Sequence, residues 1–150
     1  MFIIMLLDGS YKSQYRPSYY IFHDVFGHVP MHAHKVFGDF LQRYGQVCAS
    51  IQSESILERL GRLFWYTVEF GLIREDNEIK VYGSGLISSH GECKSVIDGH
   101  CAVHDFSLDE VLETPVKVDE FQKVLFAISS FEQVYEAMHE AERRVLENRL

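Results

Sequence analysis

Glu69 is the residue whose setting most needs a chemical explanation. It stands in Phe64-Trp65-Tyr66-Thr67-Val68-Glu69-Phe70-Gly71-Leu72, a run with almost no other polar side chain. An ionised carboxylate in such surroundings is costly to bury, and it either shifts its pKa or finds a cationic partner. A metal ion is one such partner. A pairing with Arg62, Arg74 or a backbone donor is the other reading. His23 and His28 lie five positions apart. At about 100° per residue, a regular helix sets them roughly 140° apart. They converge only if the helix ends or unwinds between them, and Gly27 and Pro30 supply the means. By itself the pair is a weak signal, and two unrelated histidines is the plainer reading. Together, two imidazoles and one carboxylate make the facial set that suits non-haem Fe(II), leaving the opposite positions open for O2, water and substrate. The same ligand types also serve hydrolytic zinc. The HExxH pattern of that class is absent, because Asp24 follows His23 and the second histidine comes one place too late.

Longer motifs surround these residues. They are Phe22-His23-Asp24-Val25-Phe26-Gly27-His28-Val29-Pro30, the run from Leu63 to Ile73 that holds Glu69, and Tyr82-Gly83-Ser84-Gly85-Leu86-Ile87-Ser88-Ser89 followed by Gly91-Glu92. A later stretch, Phe121-Gln122 to Phe131, completes the series. In this order and at these separations, from about Phe22 to about Glu132, the chain resembles the biopterin-dependent aromatic amino acid hydroxylases. The likeness is strongest to their bacterial, phenylalanine-hydroxylating branch. The resemblance implies His23, His28 and Glu69 as iron ligands. It implies Trp65 and Ser88 as residues of the amino acid site, with Ser88 also orienting the first histidine, and Asp24 as a residue near the pterin. For Trp65 a plain core role is compatible with this. For Ser88 a helix cap after Gly85 is the alternative, and for Asp24 a solvated charge. The implied cofactors are Fe(II) and tetrahydropterin (tetrahydrobiopterin). The implied reaction is ring hydroxylation of an aromatic amino acid, phenylalanine to tyrosine foremost, with one oxygen of O2 going to each organic substrate.

The likeness has gaps. The family's catalytic domain is considerably longer, and much of the difference lies upstream of His23. No counterpart appears for the family's arginine that meets the substrate carboxylate: by register it falls near Asp8, and Arg16 does not align. Pro17-Ser18-Tyr19-Tyr20 departs from the family's acidic stretch, so Tyr20 stands where an acidic residue is expected. Phe64 stands where the family usually has Tyr. The sequence therefore sets two expectations side by side: a working monooxygenase, or a truncated, iron-binding but catalytically inactive remnant of one.

The elements that must position these residues are mainly α-helical with a small β element, expected as a hydroxylase-like catalytic fold that is N-terminally incomplete. Residues 1–20 read as an irregular lead-in segment, and residues 21–150 as a partial iron-binding catalytic domain. A short helix is expected over Ile21–Gly27, stopping before Pro30. Val36, Phe37, Phe40, Leu41, Tyr44 and Val47 mark a helix from Ala33 to about Ile51. A second runs from Ser53 or Ser55 to about Ile73, apolar nearly all round in its last third and so buried. A turn over Arg74–Asn77 leads to a strand at Ile79–Tyr82, broken by Gly83 and Gly85. A short helix at Ser107–Leu112 has Ser107 as its cap, and Val116–Val118 and Val124–Ile128 are strand candidates. An amphipathic helix begins at Ser130. Its apolar stripe and its charged face leave inward packing and dimerisation equally open, and the oligomeric state is not legible.

Composition limits the partners. The formal net charge of -8, with no basic run, does not suit phosphate backbones or anionic membranes. The apolar run Phe2–Leu7 is too short for a signal core or a membrane span. Cys48, Cys93 and Cys101 are odd in number and unpatterned, which reads as reduced thiols in a cytoplasmic protein. His32 and His34 are expected to be exposed. Cys101 with His100 and His104 is expected in an ordinary loop rather than a second metal site. His90 is expected outside the cavity, with an approach to it as the alternative.

Overall fold

The computed structural model describes residues 21–117 and 120–150. The first element among the described residues is a π-helix, π1 (His23–His28), which runs directly into a short α-helix, α1 (Val29–His32). The helix thus passes Pro30 instead of stopping before it. Pro30 falls in the first turn of α1, where a missing N–H is tolerated. Helix α2 (Lys35–Ser50) follows, burying Phe37, Phe40 and Val47 on one face, and then α3 (Glu54–Phe64).

The helix from Ser53 does not continue to Ile73. At Trp65 it widens into a second π-helix, π2 (Trp65–Glu69), and Leu72–Glu75 is a strand, β1. Gly71 explains the change of direction. A Cβ there would lie 2.2 Å from the Thr67 carbonyl oxygen and 2.2 Å from the Tyr82 ring. Beyond that crossing, Leu72 and Ile73 enter a ladder with strands on both sides. Strand β2 (Glu78–Val81) returns antiparallel to β1. The two turn residues, Asp76 and Asn77, have φ of 51° and 63°, the left-handed pair that a tight hairpin of this twist requires.

Strand β2 ends at Val81, before Gly83, and two helices absent from the sequence reading follow: α4 (Ser84–Ser88), which contains Gly85, and α5 (His90–Ile97). The segment after Cys101, expected as loop, is strand β3 (Ala102–Asp105). Helix α6 (Leu108–Glu113) lies where a helix was expected, with Ser107 at its N-terminal boundary, but the Ser107 side chain makes no capping hydrogen bond. Val116 and Lys117 are not in a strand, and Val118 lies outside the described residues. Strand β4 (Val124–Ile128) and helix α7 (Phe131–Leu146) complete the chain. The expected lead-in over residues 1–20 lies outside the described residues.

The sheet has the order β2-β1-β4-β3, with β4 parallel to both of its neighbours. Leu125 to Ile128 of β4 are buried, and Leu72 of β1 is fully so. One core joins this sheet to the helices through Phe40, Leu60, Leu63, Tyr66, Phe126, Val134 and Met138. Arg43 on α2 meets Glu142 on α7 through two hydrogen bonds of 2.8 and 2.6 Å, tying the first long helix to the last. The fold is mainly helical with a small mixed sheet, as the sequence led us to expect. Among the described residues no helix is long and apolar enough to cross a membrane.

Candidate metal centre

His23 opens π1 and His28 closes it. The hydrogen bond from the Val29 N–H to the Asp24 carbonyl spans five residues, the i→i+5 pattern of a π turn. That wider turn takes up the extra residue and brings two side chains five apart onto one side. Their rings lie 4.7 Å apart between centroids, edge to face, and the two Nε2 atoms are 3.0 Å apart. Glu69 is placed by the same device. It closes π2, where the Phe70 N–H reaches the Trp65 carbonyl at 2.8 Å.

Helix α4 supplies the third wall, and three glycines let it approach. A Cβ on Gly27 would come 2.6 Å from the Ser84 Cβ, so π1 and α4 touch backbone to side chain only because Gly27 has none. A Cβ on Gly83 would sit 2.4 Å from the Glu69 carbonyl oxygen, and one on Gly85 3.0 Å from it.

The result is a closed group of donors. Glu69 Oε1 lies 3.3 Å from His28 Nε2, and Glu69 Oε2 lies 3.6 Å from His23 Nε2. Donors bound to one ion at about 2.1 Å would be about 3.0 Å apart at right angles and about 3.4 Å apart in a tetrahedron. The observed separations are 3.0 to 3.6 Å, with each histidine facing a different oxygen of Glu69, and one ligand atom from each residue lies within 4.8 Å of the others, close enough to share a single cation. Among the described residues this is the group of three His, Cys, Asp or Glu side chains so placed. Glu69 is 7% exposed, and neither arginine considered for it is its partner. Arg62 bonds the Leu112 carbonyl and Glu58, and Arg74 bonds Asp105.

The neighbours prepare the three for a cation. The Ser88 hydroxyl donates to the Ser84 carbonyl at 2.8 Å, so the 2.8 Å contact between Ser88 Oγ and His23 Nδ1 is donated by the imidazole. That assigns the proton to Nδ1 and leaves Nε2 as the lone-pair side. Burial lowers the His23 pKa, outweighing the upward pull of Glu69. Burial on its own would raise Glu69. The hydrogen bond to His28, the charges of His28 and His23, and the Ser84 hydroxyl together hold it below the usual carboxylate range. Both groups thus favour their deprotonated, metal-binding forms.

Trp65 lies one turn ahead of Glu69, half-buried and stacked on Phe70 at 5.6 Å between ring centroids. Asp24 is next to His23, and its Oδ1 is buried and has no hydrogen-bond partner among the described residues. His32 and His34 are exposed; the first bonds the His28 carbonyl and the second packs on Phe131. His90 and His100 are exposed, and His104, on β3 and not in a loop, faces Glu110 at 3.3 Å. Sequence reasoning did not single out Ser84. Its hydroxyl donates to Glu69 Oε2 at 2.9 Å and lies 3.1 Å from His28 Nε2. The signal was its position between Gly83 and Gly85, two residues whose missing side chains admit the Glu69 backbone.

Known proteins show the same arrangement of chain. Phenylalanine-4-hydroxylase of Ralstonia nicotianae is 42% identical over 117 residues, covering 77% of this chain and 37% of that protein. Tyrosine 3-monooxygenase of Bos taurus is 34% identical over 123 residues, covering 82% of this chain and 25% of that protein. The crystal structure of Chromobacterium violaceum phenylalanine hydroxylase with bound iron(III) and 7,8-dihydrobiopterin superposes with a TM-score of 0.75 at 37% identity, over 85% of this chain and 47% of that one. The chain therefore spans less than half the length of these curated relatives. The family of biopterin-dependent aromatic amino acid hydroxylases matches residues 8–148. With a match over nearly its whole length, this chain belongs to the biopterin-dependent aromatic amino acid hydroxylases.

Proposed function

We propose that the chain carries the iron centre of a monooxygenase that hydroxylates an aromatic amino acid, phenylalanine to tyrosine, using O2 and tetrahydrobiopterin. The observation that carries this reading is the meeting of His23 Nε2, His28 Nε2 and Glu69 at separations that fit one ion. Two imidazoles and a carboxylate on one face suit Fe(II) and leave its far side open. When bound, iron and reduced pterin together supply the activation of O2.

The chain's own residues do the rest. Ser88 fixes the His23 ring by accepting from Nδ1. The apolar walls of π2 keep water from the buried side of Glu69. Trp65 would form a wall of the amino acid site, a role that its half-buried face beside π2 supports. Asp24 would meet the pterin, which its Oδ1, buried and without a hydrogen-bond partner among the described residues, supports. The three free cysteines support a reducing, cytoplasmic setting.

The test is direct. The chain is purified without metal and loaded anaerobically with Fe(II). It then receives tetrahydrobiopterin, phenylalanine and air, and tyrosine is measured. Tyrosine formed in proportion to iron supports the reading. Iron held without tyrosine would instead support a metal-binding remnant without turnover. Zinc retained together with peptide or ester hydrolysis would overturn the reading.

A further inference from the structure

Ser84 is 1% exposed and lies against the donor group without being one of its three members. Its hydroxyl has one proton and three groups within reach, Glu69 Oε2 at 2.9 Å, His28 Nε2 at 3.1 Å and the Val68 carbonyl at 3.2 Å. The carboxylate takes it, being both charged and nearer. Ser84 therefore caps Oε2 of Glu69, the oxygen 3.6 Å from His23 Nε2, while the other, Oε1, lies 3.3 Å from His28 Nε2 and has no such cap. The cap cannot drift. Gly83 and Gly85 on either side of Ser84 are packed onto the Glu69 backbone, and Gly27 is packed onto Ser84 itself.

A carboxylate with both oxygens free can take a hard cation with both. That clasp would fill four of six positions around an octahedral ion where one-oxygen binding fills three. We propose that Ser84 is a positioning residue that holds Glu69 to one-oxygen coordination and so keeps a further position on the ion free for exogenous ligands. The proposal rests on the reading of His23, His28 and Glu69 as the metal set.

Mn(II) alone, added to the full chain, tests it, because water-proton relaxation counts the exchangeable waters on the bound ion. In Ser84→Ala the relaxivity of the bound ion should fall by about one third, as one of three open positions is lost. Ser84→Cys, a weaker donor of similar size, should lie between. Circular dichroism checks that each variant is folded, and the cysteine variant carries the comparison if the alanine variant is not. Equal relaxivity across the series would overturn the proposal and leave the metal set standing. Loss of Mn(II) from a folded Ser84→Ala would overturn it too, since Ser84 would then be needed to hold the ion and not to set how Glu69 binds it. An unaltered chain that binds no Mn(II) would remove the metal set and the proposal with it.

Discussion

At the scale of single residues, the site is two imidazoles and one carboxylate close enough to share an ion, with Arg62 and Arg74 engaged elsewhere. Removing one donor should therefore abolish metal binding while leaving the fold intact. Glu69→Ala and His28→Ala are expected to retain under about a tenth of the unaltered iron content with little change in far-UV circular dichroism. Unchanged iron in either variant would remove the basis for the centre. Ser88→Ala should act less severely, weakening metal binding by about 10–100-fold, because it frees the His23 ring without removing a ligand. Titration calorimetry would separate these two grades of loss. Acid should destabilise the metal-free chain. His23 and Glu69 are both held below their ordinary values of 6.5 and 4.5. Each contribution is complete above its ordinary value and is lost as pH falls through the lower folded one. Tm should decline first below about pH 6.5, and His23→Gln should flatten that first decline. An identical pH profile in the variant would contradict the assignment.

At the scale of elements, the deciding feature is a pair of π turns. The three side chains were picked from sequence by their chemistry and by the motifs around them, yet the geometry that unites them was not legible. Counted at about 100° per residue, His23 and His28 diverge; an unwinding near Gly27 was expected, but that it takes the form of a π turn, with the helix carried on past Pro30, was not. The long helices α2 and α7 were legible because their apolar residues keep one face over four turns. Strand β1 was not. Leu72-Ile73-Arg74-Glu75 is buried at its first two positions and exposed at its last two, so it has no alternation to read. Strand β3 is short and mostly exposed, and α4 and α5 are brief helices next to glycines. Close packing between elements also escaped notice, and Gly27 tests it. Gly27→Ala places a methyl 2.6 Å from the Ser84 Cβ and should cost about 1–3 kcal/mol in urea denaturation by forcing π1 from α4. It should weaken metal binding as well. A variant as stable as the unaltered chain would show that this contact yields freely.

At the scale of the whole molecule, one face stands out. Ile21, Phe22, Val25, Phe26 and Val29 are all exposed along π1 and its flanks, with Phe22 stacked on Phe26 at 4.9 Å between ring centroids. A contiguous apolar surface of this kind favours association. Replacing Phe22 and Phe26 by Ser should reduce self-association in light scattering while leaving iron content unchanged, and an unaltered scattering profile would argue against the face as its cause. The sheet has a different consequence. Strand β1 follows Glu69 almost at once, and its inner partner is β4, through Leu72 with Ala127 and Ile73 with Ile128. The hairpin to β2 closes early, but the other edge of β1 waits for a strand made much later. On the ribosome, the carboxylate-bearing turn emerges long before the partner that braces it. A nascent chain arrested ahead of Val124 would hold both histidines and the glutamate yet lack that brace, and so metal capture would belong to the finished polypeptide and not to its synthesis.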